Sequence, residues 1–214
     1  MSGLRARQKA DRNQRILAAA TDLFRTEGYD RTKLETIAAL AEVSVGTVYN
    51  YYENKGDLLV AIVALEVNDV LQAGTHLLAA PPPDIERAIN GLMSIYLDHS
   101  LVYLNKDMWR EAMAITIRRP ETRYGQAYIA LDQRLMDQIC ELLIRLRAAG
   151  RIRPDVNLQA VGEMFFNNMN MMFTAFVRDE AMALDRLKRV IARQNRTLAM
   201  AISAAPAASP GLAG

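Results

Sequence analysis

The run TKLETIAALAEVSVGTVYNYYENKGDLL, residues 32–59, decides the fold. It reads as two short helices joined by a tight turn, followed at once by a third. Thr32 and Glu35 have the Thr-x-x-Glu form of a capping box, which starts one helix near Lys33. Ile37, Ala38 and Ala41 continue it at helical spacing. Ser44 is placed to cap the next helix, residues 45–51, and Asn54 to cap another from Lys55. The middle helix carries small, hydroxyl, aromatic and amide side chains where a body-facing helix would carry Leu and charges. That pattern suits a helix docked in a DNA major groove, which is read by short polar side chains near the helix N-terminus.

Each residue of that helix has a use on this reading. Gly46 lets the backbone approach the duplex. Thr47 and Asn50 can hydrogen-bond to base edges, and the hydroxyls of Tyr49 and Tyr51 can reach phosphates. Lys55 combines a side-chain charge with the free N–H groups at the start of its helix, a suitable place for a phosphate. Val48 points inward against Ile37 and Ala41. The plainer alternative is a trihelical packing unit with Tyr51 and Tyr52 as core aromatics.

Outward from this run, the chain reads as all-α, with about nine helices. Neither a period-two strand nor an Asn-Gly or Asp-Gly hairpin signal is present. A first helix is expected over residues 11–27, with Ile16, Ala19, Ala20, Leu23 and Phe24 on one face and Gly28 as its C-cap. The Lys55 helix extends to about Ala79, and Pro81-Pro82-Pro83 breaks the chain. Asp84 opens a helix through Tyr96. Further helices are expected over residues 105–117, 122–149, 158–177 and 181–202. The segment from Ala204 on is rich in Ala, Pro, Ser and Gly and reads as disordered. The expected division is a basic arm and DNA-binding head over residues 1–54, a sensing and dimerisation domain over 55–203, and a tail over 204–214.

Over residues 15–62 the chain closely resembles the tetracycline-repressor (TetR) family of bacterial transcription regulators. The resemblance rests on an Ile-Leu-x-Ala-Ala start, Leu-Phe, Gly-Tyr, Val-Ser-x-Gly-Thr, a Tyr-x-Tyr-aromatic run and Asn-Lys-x-x-Leu-Leu. It implies an all-α homodimer whose three N-terminal helices bind operator half-sites and whose C-terminal helices hold an inducer pocket and the dimer interface. Carried over, Lys33, Val45, Gly46, Thr47, Tyr49, Asn50, Tyr51 and Lys55 match positions that commonly touch DNA in the family. Two residues depart from its pattern. Glu42 replaces the usual Gly of the turn, and if it needs positive φ it costs about 1 kcal/mol relative to Gly. Val45 stands where a polar or basic residue is frequent, and can offer a thymine methyl only apolar contact.

The helix over residues 158–177 is apolar nearly all round, so it must be buried on more than one side. One stripe is Gly162, Phe166, Met169 and Phe173; beside it run Val161, Phe165, Asn168 and Met172. The first stripe, with Leu187, Ile191 and Leu198 of the last helix, is expected at a four-helix dimer interface. A cavity for a small apolar or aromatic ligand is expected among Tyr96, His99, Met108, Trp109, Met113, Tyr128, Phe165, Asn168 and Met172. Met and aromatic residues at helical spacing also make ordinary core.

Bulk properties restrict the alternatives. Net charge is only +2 over 214 residues, but Arg5, Arg7, Lys9, Arg12 and Arg15 face only Asp11 in the N-terminal segment, an arm suited to phosphates. The single cysteine, Cys140, fits a reducing cytoplasm, and the two histidines are too far apart to suggest a metal site. The start lacks the apolar core of a signal peptide, and no apolar run reads as long enough to span a membrane. Catalysis has no Glu-x-x-His pair, Gly-rich phosphate loop or Cys–His dyad to rest on, and no cofactor is implied. The expected function is a homodimeric repressor released from a palindromic operator by a small ligand. An activator or a ligand-insensitive repressor of the same fold is the alternative, and a helical carrier or enzyme a remote one.

Overall fold

A computed structural model describes residues 2–204. The expected tail therefore lies outside the described residues, apart from Ala204. Among those described, nine α-helices follow in order: α1 Ser2–Thr26, α2 Leu34–Leu40, α3 Val45–Tyr49, α4 Lys55–Ala79, α5 Ile85–His99, α6 Lys106–Arg118, α7 Arg123–Ala148, α8 Leu158–Arg178 and α9 Leu184–Ile202. The β structure among them is one isolated bridge, Ile152 to Ser203, which pins the end of α9 to the α7–α8 loop.

The basic arm is not separate from the first helix. α1 begins at Ser2 rather than near Asp11, because the segment is rich in Arg, Lys, Gln and Ala, all strong helix formers. Tyr51 donates its hydroxyl to the Lys9 carbonyl at 3.0 Å, and Tyr52 donates to Asn13 Oδ1 at 2.7 Å. These bonds tie α1 to the turn between α3 and α4.

The expected capping box at Thr32 does not form. The N-cap of α2 is Lys33, which makes no side-chain capping bond. Thr32 is buried and donates its hydroxyl backwards, to the carbonyls of Gly28 at 2.8 Å and Leu23 at 3.3 Å. There it adds a second bond to carbonyls that already accept the Glu27 and Thr32 N–H groups, so it fastens the turn after α1 and not the start of α2. Ser44, Asn54, Asp84, Asn105, Thr122 and Asn157 do cap their helices, each accepting a bond from a backbone N–H three residues on.

Glu42 has φ +53°, the one positive φ at a non-glycine among the described residues. Its N–H bonds Ala39 O at 3.1 Å and the Val43 N–H bonds Ala38 O at 3.0 Å, a Schellman arrangement that closes α2. Arg15 Nη1 donates to the adjacent Ala41 carbonyl at 2.8 Å and lies 3.9 Å from the Glu42 carboxylate. These contacts hold a conformation that Gly would adopt freely.

α4 runs from the head into the body, where it packs against α5 and α7. It is long and apolar enough to cross a membrane by composition, which corrects the sequence reading of its apolar run. Its buried side chains nonetheless include Glu66, and its apolar faces meet other helices. α8 packs on α7 and α6, and α9 packs on α5 and α8. Gly162 permits the α7–α8 approach, since a Cβ there would collide with Cys140 Sγ.

The two faces of α8 differ from expectation. Phe166, Met169 and Phe173 are buried inside the protomer, as are Leu187 and Ile191 of α9, while Leu198 is half-buried. Phe165 is fully buried. The apolar side chains left exposed are Met164 and Met171 on α8 and Met200 on α9, at 56%, 64% and 72%. A helix with three apolar faces yields stripes from its periodicity, but not the neighbour each stripe meets.

Candidate nucleic-acid interface and ligand cavity

α3 is short and presents its polar side outward. Gly46, Tyr49 and Asn50 are exposed, while Val45, Thr47 and Tyr51 are half-buried. Val48 is fully buried and anchors the helix to the head. Ser44 fixes the first turn: its Oγ accepts from the Thr47 N–H at 3.1 Å and shares a 2.8 Å bond with Thr47 Oγ1. Lys33 is exposed at the start of α2. On α1, Arg5, Lys9 and Arg12 fall at helical spacing along the side that Tyr51 touches, with Lys9 Nζ 6.0 Å from the Tyr51 ring centroid.

Lys55 is held differently from expectation. Its ammonium is not free, because it donates to the carbonyls of Tyr29 at 2.8 Å and Asp30 at 3.0 Å, and lies 4.7 Å from the Tyr29 ring centroid. The loop after α1 turns these carbonyls toward the start of α4, and Lys55 ties the two together. An open groove of about 750 Å³ separates this part of the head from the end of α6; Lys33, Tyr49, Lys55, Arg118 and Arg119 are among its walls.

A second cavity, about 70 Å³, lies in the body between α4, α5, α6, α7 and α8. Of the residues expected at a ligand, Tyr96, Trp109 and Tyr128 line it. Phe166, Met169 and Phe173, expected at an interface, line it too, joined by Val63, Val67, Val70, Leu97, Ser100, Leu135 and Asn170. Met108 and Phe165 are instead core residues, fully buried away from the space. Met113, Asn168 and Met172 are half-buried and also outside it; Met172 accepts a 3.8 Å contact from Gln194 of α9. Trp109 sets one wall, edge-on to Phe173 with ring centroids 5.1 Å apart and its indole N–H on the Ser100 carbonyl at 2.6 Å.

Two carboxyls in this cavity, Glu66 and Asp132, escaped the sequence reading. The signal was present, since each interrupts an apolar helical stripe: Glu66 among Ile62, Val63 and Val70, Asp132 among Tyr128, Leu135 and Met136. Burial pushes Glu66 up to about 7, opposed by the hydrogen bond and charge of His99 and by the Tyr103 backbone N–H. Burial alone pushes Asp132 up to about 7. Burial likewise holds the Tyr96 and Tyr128 hydroxyls well above their ordinary range.

His99 stands one step behind the cavity wall. Its Nδ1 is 2.7 Å from Glu66 Oε1, and its Nε2 is 4.0 Å from Asp69 Oδ2. Asp69 Oδ2 accepts the Tyr103 hydroxyl at 2.7 Å. Tyr103 belongs to the α5–α6 loop, where Arg25 of α1 donates to the carbonyls of Leu101 and Val102. Polar contacts and the backbone of this loop together connect the cavity to the head.

Known proteins are similar at both scales. Residues 16–62 match the family described as bacterial regulatory proteins, tetR family. Over 189 residues the chain is 34% identical to the HTH-type transcriptional repressor KstR of Rhodococcus jostii (strain RHA1), spanning 87% of this chain and 82% of that protein. It is 30% identical over 94 residues to YhgD, an uncharacterized HTH-type transcriptional regulator of Bacillus subtilis (strain 168); that match spans 42% of this chain and only 49% of the relative. Among solved structures, Thermus thermophilus FadR, a TetR-family repressor in complex with lauroyl-CoA, shares the fold. Its TM-score is 0.66 at 24% identity, over 92% of this chain and 98% of that one.

Proposed function

Because the chain belongs to the TetR family of bacterial regulatory proteins, it is a DNA-binding transcriptional regulator, and we propose that it is a homodimeric repressor released from a palindromic operator by a small apolar or aromatic ligand. On this reading α3 enters the major groove with Gly46, Thr47, Tyr49 and Asn50 toward the bases and phosphates. Lys33 and the basic side of α1 meet the backbone. Val45 and Tyr51 sit at the edge of the contact. Lys55 acts indirectly, by fixing the start of α4 beneath the reading helix. The head is residues 1–54 and the sensor 55–203, with the work done in the cytoplasm, where the DNA is.

The observation that carries the ligand response is the series of contacts from the cavity through Glu66 and His99, with Asp69 4.0 Å beyond, to Tyr103 and the loop whose Leu101 and Val102 carbonyls Arg25 holds. A cavity of about 70 Å³ is well below the roughly 300–1,000 Å³ of a typical ligand site. A ligand must therefore part α4, α7 and α8 to enter. It can shift the head only by binding the parted state better than the closed one. The groove between head and α6 gives the head room to turn. The exposed Met164, Met171 and Met200 support a dimer through the outer faces of α8 and α9, where their burial would remove apolar surface from water.

The test is fluorescence anisotropy of the protein on DNA from its own upstream region and on unrelated DNA, at two salt concentrations. Selective binding that weakens with salt is expected. Equal weak binding to both DNAs rejects operator recognition at that site.

A further inference from the structure

The cavity has an acidic polar side, and the character of that side goes beyond an apolar pocket. The Glu66 side chain is 3% exposed; Oε1 meets His99, and Oε2 makes no hydrogen bond of normal length and angle, although the Tyr103 backbone N–H lies near enough to lower the carboxyl. Asp132 shares the same space, and burial raises its carboxyl. No Lys, Arg or His is among the residues that line the cavity. The lining also includes the rings of Trp109, Tyr128 and Phe166, with Tyr128 one turn of α7 from Asp132.

We propose that the cavity selects a lipophilic cation, an amine or quaternary ammonium carried on an apolar or aromatic body, with Glu66 and Asp132 meeting the charge. This rests on the reading of the cavity as the ligand site. A buried carboxyl oxygen without a partner is unfavourable, and a neutral apolar ligand would desolvate Oε2 further without pairing it. An anionic head would face two carboxyls. A cation relieves both and is also attracted to aromatic faces. His99 is bonded at Oε1 and its other nitrogen faces Asp69, so Oε2 is the oxygen left for a ligand to bond. The cavity chemistry thus differs from what the acyl-CoA of the Thermus neighbour would require, since coenzyme A is strongly anionic. Pairing the cation with Glu66 also draws on the carboxyl that holds His99, the first step of the route to Arg25.

Three probes with one body and different heads test this: naphthylmethylamine, naphthylmethanol and naphthylacetate, titrated calorimetrically into the full chain at neutral pH. The amine is expected to bind at least about tenfold more tightly than the alcohol, the gain of one charged hydrogen bond, and the carboxylate weakest. In Asp132→Asn, and in Glu66→Gln, the advantage of amine over alcohol should fall severalfold, with the fold checked by circular dichroism. Equal binding of the three heads, tighter binding of the alcohol or carboxylate, or binding of none overturns the proposal. So does an amine advantage that survives both substitutions together. The same probes added to the protein–DNA complex separate the two readings. An amine that binds selectively without releasing DNA preserves the charge selectivity and rejects the ligand-released repressor. Release by the alcohol as readily as by the amine does the reverse.

Discussion

At the end of α3, Tyr49 and the C-cap Asn50 stand in solvent with their polar atoms available, while the Glu66 side chain is 3% exposed with one oxygen unpaired. The first region keeps polar groups hydrated until a partner replaces the water, so its readiness has little effect on stability. The second keeps charge out of water, so its readiness opposes folding. A surface reader and a buried sensor can therefore be told apart by which measurement a substitution moves.

The largest expected effect is at the reader. Asn50→Ala should weaken operator binding by about 10- to 100-fold, the loss of one base contact, and change sequence preference with little change in Tm. Unchanged affinity and preference would mean that α3 meets DNA in another register. Lys55→Met sharpens the boundary between the two behaviours. Its ammonium holds the Tyr29 and Asp30 carbonyls, so thermal stability should fall by about 1–2 kcal/mol. Affinity should fall on all DNA sequences alike while the salt slope stays the same. A slope reduced by about one would instead assign Lys55 to a phosphate.

Asp132→Asn reports on the sensor. Burial raises the folded-state carboxyl from 3.8 to about 7, so the stability present below about pH 4 is lost as pH rises through 7. The Asn variant avoids that loss. It should match the parent at pH 4 and melt roughly 2–6 °C higher at pH 8, which thermal scans at the two pH values would show. A uniform shift would mean that Asp132 is not held protonated by burial. The smallest effect belongs to Glu42→Gly, which relieves the positive φ at the end of α2. A gain of about 0.5–1 kcal/mol in denaturant unfolding is expected, and a loss would show that the contacts around Arg15 outweigh the strain.

The head was more legible in sequence than the cavity, for a physical reason. Local rules govern the head: Ser44 and Asn54 cap the helices they precede, and Glu42 takes the conformation its place in the turn demands. Where two local rules competed, at Thr32, the end of α1 won over the start of α2. The body depends on which helix meets which. Periodicity identified the stripe of Phe166, Met169 and Phe173, but could not tell a partner subunit from an internal space. Attention to Asn168 on α8 likewise missed Asn195, an amide that is fully buried. It bonds Asn90 at 2.9 Å and falls in step with Leu187, Ile191 and Ala199. Glu66 and Asp132 were readable in the same way, as carboxyls on apolar stripes.

The continuity of α1 from Ser2 turns its basic residues into marks on a rotating shaft. Each residue of an α-helix advances the side-chain direction by about 100°. Arg5, Lys9 and Arg12 share an azimuth with the side fastened to Tyr51. Inserting one residue between Lys9 and Asn13 would swing Arg5 and Lys9 away from that azimuth, and inserting seven would return them to it about 10 Å farther along the axis. A loose arm would be indifferent to phase, so the shaft makes angular position, as well as charge, a property of this end of the chain.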